Sequence, residues 1–178
     1  MQSASGAAPA SAREVPTAVI EELMSITDGQ VVFERERDAA TQGVLVNPNA
    51  SCSRIGTRAY AGAMEELAAQ LRFDLAQAND AARFAADPSD PRIRAVQESA
   101  ARIRAALAQA PGSPLPLGTQ VVHLLALRAG LLDRLPVEAV QERLAKVVAA
   151  VPASTLQQLD SGARLSPELE KAVLDTFV

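Results

Sequence analysis

Gly118-Thr119-Gln120-Val121-Val122-His123-Leu124-Leu125-Ala126-Leu127-Arg128-Ala129-Gly130-Leu131-Leu132 is the stretch that decides the fold. Val121, Val122, Leu124, Leu125, Leu127 and Leu131 fall on most sides of a 3.6-residue helix instead of forming one stripe. A helix that is apolar nearly all round needs neighbours on every side, so the spacing predicts the middle of a helical bundle. The run is too short for a membrane span, which takes about 20 apolar residues.

The neighbours are legible on either side. Met64, Leu67, Leu71 and Leu75 recur at steps of three and four, predicting a helix from near Thr57 to near Ala86 that stops at Asp87-Pro88. Ile93, Val96, Ala100, Ile103 and Leu107 stripe a second helix that ends before Pro111-Gly112. Downstream, Pro136 is a good first-turn residue for a helix carrying Val137, Val140, Leu144, Val147, Val148 and Val151. Two short helices follow near Ser154–Asp160 and Ser166–Phe177, the last with Ser166-Pro167-Glu168 as its cap. The expected fold class is therefore mainly α, a bundle over residues 57–178.

The N-terminal part reads differently. Residues 1–14 are mostly Ala, Ser, Gly and Pro and read as a disordered tail, with too little positive charge for a transit peptide. From Val15 to Gly56 the pattern predicts extended structure broken by turns. Ser25 to Glu34 carries Ile26, Val31, Val32 and Phe33 with an Asp28-Gly29 turn signal inside. Val44-Leu45-Val46 is a second run, closed by Asn47-Pro48-Asn49. Two short strands are not stable alone in water, so their edges call for a sheet from elsewhere.

Composition excludes several functions. The 178 residues are 48% apolar and only 3% aromatic, so the core is aliphatic and alanine-rich. A net charge of −4, without a basic run, argues against a nucleic-acid surface. Lys146 follows Ala145 and Lys171 follows Glu170, and these two lysines cannot complete the Gly-Lys-Ser/Thr of a P-loop. Cys52 is the single cysteine, which fits a reducing compartment, and it reads as packing and not as a nucleophile. His123, alone in the most apolar helix, reads as a core or interface residue, and no metal set is spaced around it. Arg92, Arg94, Arg102 and Arg104 read as a solvated face, with Glu98 and Arg102 as an i,i+4 pair. Glu65 and Glu66 read as solvated too.

Ser51-Cys52-Ser53-Arg54-Ile55-Gly56 is the candidate functional loop. An arginine among small residues, where extended chain gives way to helix, can reach out of its own chain and present a planar fork to phosphate. With Ser25-Ile26-Thr27-Asp28-Gly29-Gln30 before it and Leu71-Arg72-Phe73-Asp74-Leu75-Ala76-Gln77 after it, this loop resembles, in order and near-spacing, the α subunit of rotary F-type ATP synthases. Ser113-Pro114-Leu115 and Gly130-Leu131-Leu132-Asp133 through Pro136-Val137 extend the resemblance to that family's C-terminal helical domain. Leu165-Ser166-Pro167 and the Leu-Ala-Leu before Gly130 look closer to its divergent bacterial members.

The resemblance implies that residues 15–56 are the end of a nucleotide-binding domain, its strands and arginine-finger loop. Arg54 would then act in trans, stabilising charge in a neighbouring β subunit's site, with Ser25, Asp28, Gly29 and Ser53 at the subunit interface. It implies partnership with β and γ subunits and a separate N-terminal α-like chain, and no catalysis by this chain alone. No cofactor is expected on the chain itself; ATP or ADP and Mg2+ belong to the assembled complex. The membrane would be met only through that complex, on the cytoplasmic face of a bacterial inner membrane or, alternatively, in a mitochondrial matrix.

Departures from the family pattern are specific. Ala18 to Met24 make the approach to the first strand longer. Gly43 and Val44 stand about where an Arg-Pro pair of the non-catalytic nucleotide pocket is expected. Of that pocket's two glutamines, Gln109 matches the first and Pro111 replaces the second. The alternative reading is a free-standing helical interaction module, or a truncated gene fragment, without nucleotide chemistry.

Overall fold

The computed structural model describes residues 17–35, 44–56, 60–84, 90–110 and 112–177. The chain divides into two compact units, 1–55 and 56–178. The readings made on residues 1–14, Gly43, Asp87-Pro88 and Pro111 lie outside the described residues.

The first unit contains helix α1 (Thr17–Ile26) and strands β1 (Gly29–Arg35) and β2 (Val44–Ser53). The helix corrects the expectation of extended chain from Val15 onward. Val19, Ile20, Leu23 and Ile26 share one helical face, and Glu21-Glu22-Leu23-Met24 are good helix formers. Ser25 and Ile26 thus close a helix instead of opening a strand, and Asp28-Gly29 is the turn into β1, not a turn within it.

β1 and β2 are antiparallel, pairing Gly29 with Ser53, Gln30 with Cys52, Val32 with Asn47 and Arg35 with Val44. The register shifts between Gln30 and Val32, a bulge on the β2 side. There the Ser51 hydroxyl accepts from Val32 N–H at 2.9 Å and donates to Asn47 O at 2.6 Å. A side chain has stepped into the ladder, which lets β2 run past Pro48 to Ser53 instead of closing at Asn47. Val31 and Phe33 are 60% and 64% exposed.

The second unit holds α2 (Gly62–Phe84), α3 (Pro91–Leu107), α4 (Leu117–Arg128), α5 (Val140–Ala150), α6 (Ala153–Asp160) and α7 (Pro167–Leu174). One 3-10 turn, Val137–Ala139, leads into α5, and another, Asp175–Phe177, follows α7. α4 packs against α2, α3, α5, α6 and α7, the central position its all-round apolarity predicts. Val121, Val122, Leu125 and Ala126 are sealed from solvent, in one core with Ala106, Val140, Leu144 and Val173. Burying each of these valines and leucines contributes about 1.5–3 kcal/mol, and each alanine methyl less.

Two helix ends show why the elements stop where they do. Asp90 caps α3 by accepting from Arg92 N–H at 2.8 Å. α4 ends at Arg128, short of the expected Leu132. Gly130 takes φ +68°, its N–H bonds Leu127 O at 3.0 Å, and Leu131 N–H bonds Ala126 O at 3.1 Å. That pair of bonds is the Schellman motif, and glycine meets its left-handed position without strain. Leu131 is left exposed while Leu132 returns to the core.

Candidate functional site

The Arg54 loop is built from the sheet end and the helix that precedes it. Gly29 opens β1 opposite Ser53, and a Cβ there would lie 2.5 Å from the carbonyl oxygen of Cys52. Only glycine lets the two strands close at this end. Arg54 follows directly, and its backbone N–H donates to Asp28 O at 2.7 Å. Its guanidinium turns toward α1, where Nη1 donates to Ser25 O at 3.3 Å and to Thr27 O at 3.2 Å. Carbonyls at a helix C-terminus carry partial negative charge, so a guanidinium is favoured there.

Arg54 is exposed, and among the described residues it makes no ion pair. Its holders are neutral carbonyls that it can exchange for water or for an anion. Ser25, Asp28, Gly29, Ser53 and Arg54 are thus brought together, but mainly through backbone groups. The Ser25 hydroxyl itself bonds back to Glu22 O at 2.7 Å. Cys52 is exposed, which corrects its reading as a packing residue. In the sheet its neighbours on both sides, Ser51 and Ser53, take the bulge and ladder positions, and among the described residues none of the three belongs to a buried cluster.

Gln109 lies in the second unit, just past α3. Its Oε1 accepts from Leu115 N–H at 3.4 Å, so the amide braces its own loop. Among the described residues no group of three or more His, Cys, Asp or Glu side chains could hold a metal ion. None of the described helices is long and apolar enough to cross a membrane.

The arginines of α3 divide in a way sequence reading missed. Arg92 and Arg94 are exposed, and Arg102 does pair with Glu98, at 3.6 Å. Arg102 is not a solvated residue, however. Its side chain is only 17% exposed, and its Nε donates to Leu135 O at 2.8 Å. It ties α3 to the turn before α5 and lines a groove of about 520 Å³ whose other polar residues include Asp74, Arg128 and Asp133. No sequence signal marks this role, because the partner is a backbone carbonyl 33 residues away.

Residues 61–178 match the family described as ATP synthase alpha/beta chain, C terminal domain. The chain belongs to that family. The helical second unit is its fold, as the residue patterns around α4 and the Ser113-Pro114-Leu115 segment led us to expect. The chain is similar to the ATP synthase subunit alpha of Mycobacterium sp. strains KMS, JLS and MCS. Each is 38% identical over 168 residues, covering 90% of this chain and 30% of the relative. This similarity extends beyond the family's domain into the first unit. The chain spans about 30% of the length of these curated relatives.

Proposed function

We propose that this chain is an α-subunit-like component of the catalytic head of an ATP synthase, and that Arg54 serves the nucleotide site of a neighbouring β subunit. The observation that carries this reading is the state of Arg54: exposed, with a guanidinium that among the described residues bonds the Ser25 and Thr27 carbonyls and makes no ion pair. Its guanidinium can leave those acceptors without breaking an ion pair.

In the assembled head, ATP, or ADP and phosphate, would be bound with Mg2+ by the β subunit. Arg54 would add a charged fork of donors where negative charge accumulates on the transferring phosphoryl group. Ser53, Gly29 and Asp28 hold its backbone in place, and Ser25 supplies the resting acceptor. The helical unit would pack beside β and γ subunits and move with them. The exposed Val31, Phe33 and Val46 suit a further sheet from an α-like N-terminal region. The head would sit peripherally at the cytoplasmic face of a bacterial inner membrane.

The test is Arg54→Ala in the assembled complex, with assembly followed by pull-down and turnover by ATP hydrolysis. Normal assembly with turnover reduced by about 10³–10⁵ supports the proposal. Unchanged turnover in a complete complex, or failure to recover any β or γ subunit, would favour the free-standing interaction module. ATP hydrolysis by the chain alone would sink the proposal outright.

A further inference from the structure

A cavity of about 170 Å³ lies among α2, α3 and α4, within the second unit and unused by the proposed function. Met64, Leu71, Ala106, Leu107 and Leu124 make its wall apolar, and His123 is its distinctive polar member. A space of about this size suits one six-membered ring: an apolar cavity of about 150 Å³ takes up benzene.

His123 is 6% exposed and is the chain's single histidine. Its Nδ1 lies 3.2 Å from Ala106 O. A carbonyl can only accept, so Nδ1 carries the proton and Nε2 presents a lone pair. Nε2 has no hydrogen-bond partner, yet among the described residues no fully buried side-chain nitrogen or oxygen goes unpartnered. Nε2 is therefore not fully sealed in the core, and His123 lines this cavity. Burial also holds the ring neutral, against a weaker opposing effect of the Ala106 bond.

Each of the two amides at the rim has one end engaged. Gln120 Nε2 donates to Leu115 O at 2.7 Å, and Gln109 Oε1 accepts from Leu115 N–H. Among the described residues no lysine or arginine lines the cavity. A carboxylate or phosphate would find no counter-charge and would face a lone pair. A hydrocarbon ring would fill the space but displace water from Nε2 and offer it no donor in return. The complement that remains is an apolar ring with one donor.

We infer that this cavity is a binding site for a small phenol whose hydroxyl donates to His123 Nε2. The site needs no residue of the Arg54 loop, so it stands or falls independently of the proposed function.

The single histidine makes a direct test possible in the unmodified full chain. Its imidazole ¹⁵N signals are followed by NMR during titration with phenol, toluene or benzoate at neutral pH. Phenol should give a saturable shift centred on Nε2. Toluene should bind about three- to tenfold more weakly, the worth of one neutral hydrogen bond. Benzoate should not saturate. Absence of a saturable phenol shift, toluene binding as tightly as phenol, or saturation by benzoate would each overturn the inference. A second measurement uses His123→Leu, which keeps the bulk and removes the acceptor. There phenol should lose its advantage over toluene, and a retained advantage would place recognition elsewhere.

Discussion

Arg54 Nη1 lies 3.2 Å from the carbonyl oxygen of Thr27, just past the last turn of α1. The helix that sequence reading took for extended chain is thus what holds the candidate finger at rest. The bond joins an exposed cation to a neutral carbonyl, so water competes for both partners and the net contribution is small. Arg54→Ala should therefore leave the urea midpoint of the chain nearly unchanged, within about 0.5 kcal/mol, while lowering turnover of the assembled complex. Arg54→Lys should not restore turnover, because a point-charge ammonium lacks the planar fork. Equal losses of stability and turnover would mean that Arg54 is a structural residue.

Arg102 and Glu98 form an ion pair, but the two partners should not matter equally. Glu98 is 58% exposed and reaches Arg102 at 3.6 Å, so Glu98→Ala should cost no more than about 0.5 kcal/mol. Removing Arg102 deletes a charge-assisted bond to Leu135 O that links α3 to the approach to α5. Arg102→Ala should cost about 1.5–3 kcal/mol in urea denaturation, the range for hydrogen bonds to charged groups. Similar costs for the two variants would show that the salt bridge, not the carbonyl bond, carries the contact.

Much of the bundle was legible because its signals are local and repeated. The surround of α4 follows from Val121, Val122, Leu124 and Leu125, and the Ser166 cap of α7 from Ser166-Pro167-Glu168. The first unit was not, since Val19, Ile20, Leu23 and Ile26 lie among turn-rich, strand-like segments that masked their helical spacing. Pro48 suggested that β2 would end early, and only the Ser51 hydroxyl in the bulge explains why it does not. At the Arg54 loop the residue types could be read. That Ser25 contributes its carbonyl and not its hydroxyl could not, because backbone acceptors leave no trace in side-chain chemistry.

The crossing of α4 and α6 depends on a missing side chain. A Cβ at Gly118 would lie 2.8 Å from Leu156 O and 3.1 Å from Asp160 Oδ1. The same close approach lets Gly118 N–H donate to the Asp160 carboxylate at 2.6 Å, satisfying a free donor in the first turn of α4. Gly118→Ala should destabilise by about 1–3 kcal/mol despite alanine's better helix propensity. Asp160→Ala should cost about 0.5–2 kcal/mol, the worth of a lost cap. Because both substitutions break one contact, the double variant should lose less than the sum of the singles in a urea-denaturation cycle. Strict additivity would show that the two residues act separately.

His123 makes the bundle sensitive to mild acid. Burial lowers its pKa below the ordinary 6.5, outweighing the Ala106 bond that raises it. Above 6.5 the ring is neutral in both folded and unfolded chains and contributes no pH dependence. As pH falls through that value the unfolded chain takes up a proton that the folded chain refuses, so stability declines until the folded pKa is reached. Glu142 and Glu168 act in a separate window. Both are held below 4.5, Glu142 by its bond to Lys146 and Glu168 by hydrogen bonds to its own backbone and to Ser166. Their contribution is lost only as pH drops below that carboxylate value. Between about pH 7 and pH 5, the urea midpoint of the wild-type chain should therefore fall more than that of His123→Leu. NMR titration of the single imidazole should give a folded pKa below 6.5. Parallel slopes for the two proteins, or an imidazole titrating at or above that value, would mean that the ring is solvated in the folded chain.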